Sequence, residues 1–209
     1  LEKIGALFAL KKIEHQYPHC WRCHKPVIFR ATSQWFCSVD DFKDDAVKAA
    51  EDVKWFPEWG KDRLQSMVKE RADWCISRQR KWGVPIPVVY CQDCGKEIID
   101  NDIMMKVSKI FGEEGSDAWF AHDTEYFLPE GFKCPHCGSS KGFDKEKDIM
   151  DVWFDSGSSH AAVCARRKYL KVPADVYLEG ADQYRGWFQS SLLTSVAGGH
   201  GAPYKQIIT

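Results

Sequence analysis

The chain has 209 residues, 44% hydrophobic and 28% charged, with nine cysteines and a net charge of −1 from 29 basic and 30 acidic side chains. This is ordinary globular composition with room for one or two domains, and it exerts no overall electrostatic pull toward nucleic acid. No apolar run approaches membrane-spanning length and no signal-peptide pattern opens the chain; six cysteines form three Cys-x-x-Cys pairs, which points to metal in a reducing, cytoplasmic compartment rather than to disulfides.

Residues 1–16 place Ile4, Leu7, Phe8, Leu10 and Ile13 at near-helical spacing and predict an amphipathic helix. In Tyr17-Pro-His-Cys-Trp-Arg-Cys23, Cys20 and Cys23 have metal-knuckle spacing, but two thiolates are only half of a tetrahedral site. Residues 27–36 are rich in β-formers and predict one or two strands, interrupted near Ala31-Thr32-Ser33; Cys37 reads as a small buried hydrophobe. A helix is predicted over 41–56, with Phe42, Val47, Ala50, Val53 and Trp55 as its apolar stripe and Pro57 as its stop. A second, over 59–72, carries Trp59, Leu64, Met67 and Val68.

The run from Asp73 to Pro87 sets Arg78, Arg80 and Lys81 beside Trp74 and Trp82. Two readings stand: basic groups among aromatics that touch the acceptor end of an RNA, or a solvated turn with its Trp side chains in the core. Next come two Cys-x-x-Cys-Gly knuckles, at Cys91 and Cys94 and at Cys134 and Cys137. Together they make a closed four-cysteine site of structural type, whose job is to staple an insertion with a thin core. His136 is redundant as a ligand. Between the knuckles, 103–110 predicts a helix, while 118–121 and 126–128 read as short strands or apolar contacts. Residues 141–147 read as a polar linker.

Asp151-Val-Trp-Phe-Asp-Ser-Gly157 reads as an apolar strand ending in small and polar residues, where Gly157 permits close approach by a ligand. Trp153 and Trp187 are flat apolar surfaces that, facing one cavity, clamp a branched aliphatic side chain. Val176 to Leu178 predicts a strand, Glu179-Gly180 breaks it, and Asp182 caps a helix over 183–197. A strand that ends in polar residues and turns into a helix is half of a nucleotide-binding crossover, with ligands just past the carboxyl end of the strand. Glu179, Asp182 and Gln183 stand where a ribose hydroxyl or an ammonium group is held. The plainer alternative is an N-cap and a solvated turn.

Four stretches carry a likeness: YPHCWRCHKPVIFRATSQWF (17–36), DWCISRQRKWGVPIP (73–87), DVWFDSGSSH (151–160) and YLEGADQYRGWFQSSL (177–192). In them the chain resembles the class I aminoacyl-tRNA synthetases for branched aliphatic amino acids, the isoleucyl enzymes in particular and the valyl enzymes less well. The resemblance implies an α/β fold: the second half of a Rossmann-like nucleotide-binding fold with a zinc-ribbon-like insertion. Residues 1–16 would be the tail of an editing insertion, 17–87 a catalytic-core segment, 88–150 the zinc-binding insertion and 151–209 the second half of the core. It further implies that Trp153 and Trp187 line an isoleucine pocket and that Glu179, Asp182, Gln183 and Gly157 contact the aminoacyl-adenylate. Implied partners are isoleucine, ATP with Mg2+ and tRNA(Ile), in a monomeric enzyme, with structural Zn2+ on the four cysteines. In some members a partner for the Cys20 and Cys23 pair lies before the editing insertion.

The family's His-x-Gly-His and Lys-Met-Ser-Lys-Ser motifs do not occur here. The expectation is therefore an internal fragment with no catalytic residue of its own and no aminoacylation activity alone. The competing reading is a standalone zinc-ribbon module that grips nucleic acid through Arg78, Arg80 and Lys81. Such a module does not require the Asp151–Gly157 run or the turn after Glu179.

Overall fold

A computed structural model describes residues 1–209, which divide after Ser33 into two units. In the first unit, Leu1–Ser33, the helix expected over 1–16 does not form. Only a 3-10 turn at Glu2–Ile4 is present, closed by Gly5 at φ 67°. Ile4, Phe8, Leu10 and Ile13 are exposed, and a short helix whose apolar face is not packed is marginal. The knuckle itself is shaped: Cys20 N–H donates to Lys25 O at 2.9 Å and His24 N–H to Cys20 O at 2.7 Å. Residues 27–35 form no strand; the first one is Phe36–Cys37.

The second unit, Gln34–Thr209, runs in chain order β1 (Phe36–Cys37), α1 (Lys43–Ala49), β2 (Lys54–Phe56), α2 (Gly60–Lys69), β3 (Trp74–Cys75), β4 (Ser77–Arg78), β5 (Val89–Cys91) and β6 (Glu97–Ile98). It continues through α3 (Asn101–Glu114), α4 (Ala118–Ala121), α5 (Thr124–Phe127), β7 (Phe143–Lys145), β8 (Ile149–Met150), α6 (Val152–Gly157), β9 (Tyr177–Leu178), α7 (Trp187–Ala197) and β10 (Gln206–Ile208).

Its main sheet is parallel, in the order β2-β10-β9. Ile207 is the register partner of both Trp55 and Tyr177, and these three buried side chains form one row across the sheet. α7 is the crossover from β9 to β10. Leu192 and Leu193 are buried, and so are the polar residues from Gln189 to Ser191, because α7 is enclosed on every side.

The helix expected over 41–56 ends early. α1 gives way to a 3-10 turn at Ala50–Asp52, and Val53 turns extended into β2. Trp55 is thus a strand residue. Its indole N–H reaches back to Ala50 O at 3.1 Å, and pairing with β10 overrides the helical periodicity.

The insertion is built on the sheet β6-β5-β7 with α3 packed on it. Asp100 caps α3 by accepting from Ile103 N–H at 3.0 Å, and Ile103, Val107 and Ile110 face a cluster around the buried Trp119 and Phe127. The predicted strands at 118–121 and 126–128 are instead the helical turns α4 and α5, and the expected linker over 141–147 contains β7, whose Lys145 registers with Val89. Glu146 fastens the insertion at its root. Its carboxylate accepts from Trp35 Nε1 at 2.8 Å and from the Tyr90 hydroxyl at 2.5 Å. Burial, then that carboxylate, pushes the Tyr90 pKa up to about 12.

Candidate functional site

The Asp151–Gly157 run is a helix, not the end of a strand. β8 stops at Met150, and Asp151 caps α6 by accepting from Trp153 N–H at 3.4 Å. The second oxygen of the buried Asp151 accepts from Trp74 Nε1 at 2.9 Å and pairs with Arg78 at 3.1 Å. Arg78 also donates to Cys75 O and Ser77 O, each at 2.8 Å. One carboxylate thus joins the 73–78 segment to the start of α6. Sequence reading missed this role, although an Asp immediately before an apolar run is a recognisable cap signal. Of the two tryptophans in the 73–87 run, Trp74 is in the core, while Trp82 is 93% exposed.

Gly157 is buried where α6 crosses α7. A Cβ there would stand 2.8 Å from Ser190 O, so the room that the glycine leaves is taken by the backbone of α7. Trp187, the first residue of α7, stacks on Tyr177 with ring centroids 3.9 Å apart and planes 10° apart. Its indole N–H donates to Ser156 O at 3.0 Å and to Ser159 Oγ at 3.2 Å. Trp153 is 42% exposed and lies against Gly186, one residue before Trp187. A cavity of about 750 Å³ has Trp187, Tyr177, Ser159 and Lys168 in its wall; Trp153 is not part of that wall.

Glu179 follows the carboxyl end of β9. Its N–H donates to Ile208 O at 3.3 Å, and the side chain is exposed. Asp182 does not cap a long helix. It lies in a 3-10 turn at Ala181–Tyr184, and α7 begins only at Trp187. The cap comes from Gln183, whose Oε1 accepts from Trp187 N–H at 2.9 Å while its Nε2 donates to Asp182 at 3.0 Å. Glu179, Asp182 and Gln183 therefore share the turn between β9 and α7, at the carboxyl end of a parallel sheet.

The two cysteine knuckles of the insertion are built alike. Cys91 N–H donates to Lys96 O and Cys134 N–H to Ser139 O; Gly95 N–H returns to Cys91 O and Gly138 N–H to Cys134 O, each at 2.8 Å. Gly95 and Gly138 sit at φ 69° and 74° with open space around them, so the backbone conformation, not crowding, asks for glycine. The four sulfurs lie within 4.8 Å of one another, and Cys91–Cys137 and Cys94–Cys134 are each 3.7 Å apart. A tetrahedral ion with sulfur bonds of ~2.3 Å has edges of about 3.8 Å, so the set fits a metal such as zinc. His136 points elsewhere, with Nε2 3.0 Å from Glu97 O.

Burial opposes the Cys134 thiolate, but the amides of Cys137 and His136 and the neighbouring thiols outweigh it, and the pKa falls to about 6. The Ser139 amide favours the Cys137 thiolate, yet burial and the three neighbouring sulfurs push that thiol up to about 12. Binding of a cation by these sulfurs requires thiolates and therefore releases the protons that remain on them.

A second cavity, of about 870 Å³, lies between Arg80 and Lys81 on one side and Trp119, Phe120, Lys145 and Lys147 on the other. No helix is long and apolar enough to cross a membrane.

A parallel strand–helix–strand crossover with polar residues past the carboxyl end of its strand, preceded by a four-cysteine insertion, defines an α/β protein of the class I synthetase type. The family model "tRNA synthetases class I (I, L, M and V)" matches residues 7–209, and the chain belongs to that family. It is 62% identical over its full length to an isoleucine--tRNA ligase of Caldicellulosiruptor bescii and 60% identical over 212 aligned residues to that of Carboxydothermus hydrogenoformans. In each case the match covers 100% of this chain and 23% of the relative, so the chain spans about a quarter of the length of these curated relatives. The crystal structure of the LeuRS–tRNA–LeuAMS ternary complex of Agrobacterium radiobacter K84 aligns with a TM-score of 0.44 at 22% identity, over 66% of this chain and 20% of that one, a likeness too slight to argue from. The family match runs through the insertion and both flanking parts, which sets aside the zinc-ribbon module as the organising unit.

Proposed function

We propose that the chain acts within an isoleucine--tRNA ligase, which activates isoleucine with ATP and passes the acyl group to tRNA(Ile). The observation that carries this reading is about 60% identity over the whole chain to ligases of that name, and the turn between β9 and α7 is consistent with it. The isoleucine carboxylate attacks the α-phosphate of ATP and pyrophosphate leaves, giving isoleucyl-adenylate; a tRNA hydroxyl then attacks its acyl carbon and AMP leaves. No covalent enzyme nucleophile is needed, because such chemistry runs on positioning and charge stabilisation.

In this reading Glu179, Asp182 and Gln183 bind the adenylate, and Trp153 and Trp187 bound the isoleucine side chain. Gly157 serves them by letting α6 lie against α7. Phosphate contacts, and Mg2+ with ATP, belong to other parts of the enzyme, so the 209-residue chain alone does not charge tRNA. The four cysteines hold Zn2+ in a structural role. The enzyme is a cytoplasmic monomer.

The test is Glu179→Ala in the full-length gene product. Loss of isoleucine-dependent ATP–pyrophosphate exchange with zinc retained supports the reading. Unchanged exchange removes Glu179 from the site, and no exchange in the unmodified enzyme removes the reading altogether.

A further inference from the structure

Gly186 is buried between the Ala181–Tyr184 turn and α7. A Cβ built on it would stand 2.5 Å from Gln183 Oε1 and 3.0 Å from both Cη2 and Cζ3 of Trp153. These nearest atoms all belong to side chains of the proposed substrate wall. Gly157 differs, because the atoms nearest its missing Cβ include the backbone of Ser190.

Neither neighbour of Gly186 can yield without changing that wall. Gln183 Oε1 is held by Trp187 N–H and its Nε2 by Asp182, so pushing the carboxamide aside uncouples it from the start of α7. Trp153 is a rigid ring, and giving way by a few tenths of an ångström moves its whole face. Its partial exposure lets it move without disturbing the core.

We propose that Gly186 is a specificity-determining position. The missing side chain lets the Trp153 ring and the Gln183 carboxamide share one spot against the start of α7. That sharing sets the depth of the wall offered to an aliphatic side chain. A methyl group at 186 crowds both at once and so alters the wall against which isoleucine is read from valine. The inference rests on the proposed isoleucine-activating function.

The experiment is ATP–pyrophosphate exchange by the full-length gene product with isoleucine and with valine, for Gly186→Ala, Trp153→Leu and the double variant. Gly186→Ala is expected to raise the isoleucine KM about tenfold, the low end of what one methylene is worth in an apolar pocket, a range for which isoleucine–valine selection is itself the reference case. The isoleucine-to-valine ratio of kcat/KM shifts with it. In the Trp153→Leu background, where only the Gln183 contact remains, the same glycine change has a smaller effect on that ratio. A folded Gly186→Ala with unchanged isoleucine KM and ratio overturns the proposal, as do strictly additive effects in the double variant. If Gly186→Ala does not fold, the proposal is overturned unless Trp153→Leu restores its folding. No exchange by the unmodified enzyme overturns the functional reading and this inference together, whereas normal exchange with an indifferent glycine overturns the inference alone.

Discussion

Trp74 donates its indole N–H to Asp151 Oδ2 at 2.9 Å, although 77 positions separate them in sequence. The same oxygen pairs with Arg78, and the other oxygen of the carboxylate caps α6. Trp74 in turn lies under the Arg71 guanidinium, 5.1 Å from its ring, and Arg71 donates to Gln189 of α7 at 2.5 Å. The strands over 74–78, α6 and α7 are thereby held by one polar chain running through the apolar cluster.

Asp151→Ala leaves the indole and guanidinium unpaired and takes the cap from α6. We expect a loss of about 2–4 kcal/mol in urea unfolding, from orphaned donors in a buried setting. Trp74→Phe keeps most of the packing and leaves Asp151 two of its partners, so it should cost less, about 1–2 kcal/mol. Equal costs for the two variants would show that ring packing, rather than the carboxylate, holds the segment.

One metal ion per chain is expected from the sulfur geometry. Metal analysis after Cys134→Ser should show it lost, and chelation should unfold α3 and the cluster around Trp119, because structural zinc contributes on the order of 10 kcal/mol to a small domain. Cys23→Ser should leave the stoichiometry at one. A second equivalent that disappears with Cys23 would mean that the Cys20 and Cys23 pair finds further ligands.

Burial, with the Asp151 charge adding to it, raises the Asp155 carboxyl from 3.8 to about 6. The native state then binds more protons than the unfolded chain between about pH 4 and 6, so this group's contribution falls as pH rises through that window and is level above it. Asp155→Asn should therefore be more stable than the parent at pH 7, by about 1 kcal/mol or less given solvent screening, and lose that advantage toward pH 4. Thermal melts of both proteins across pH 4–7 check the sign; a gap that widens on acidification would refute it.

The metal set was legible because Cys-x-x-Cys-Gly is a local device: spacing and a left-handed glycine shape each knuckle before any tertiary contact forms. α2 and α3 were legible for the related reason that their apolar periodicity agrees with the face they bury. Two of the misreadings have a clear physical reason. The stripe over 1–16 had the right period but lies exposed, so no helix was stabilised. Trp55 had helical spacing but sits in a strand, because its pairing with Ile207 outweighs local preference.

By itself the sequence determined the family, the four-cysteine set and the strand-to-helix turn after Leu178, all of which depend on residue type and short spacing. Only the tertiary structure decided that Asp151 is a hub, that Gln183 rather than Asp182 caps α7, and that Gly157 and Gly186 are crowded by different kinds of neighbour. Those roles depend on which distant groups arrive within hydrogen-bond or van der Waals reach, and local spacing does not encode such meetings.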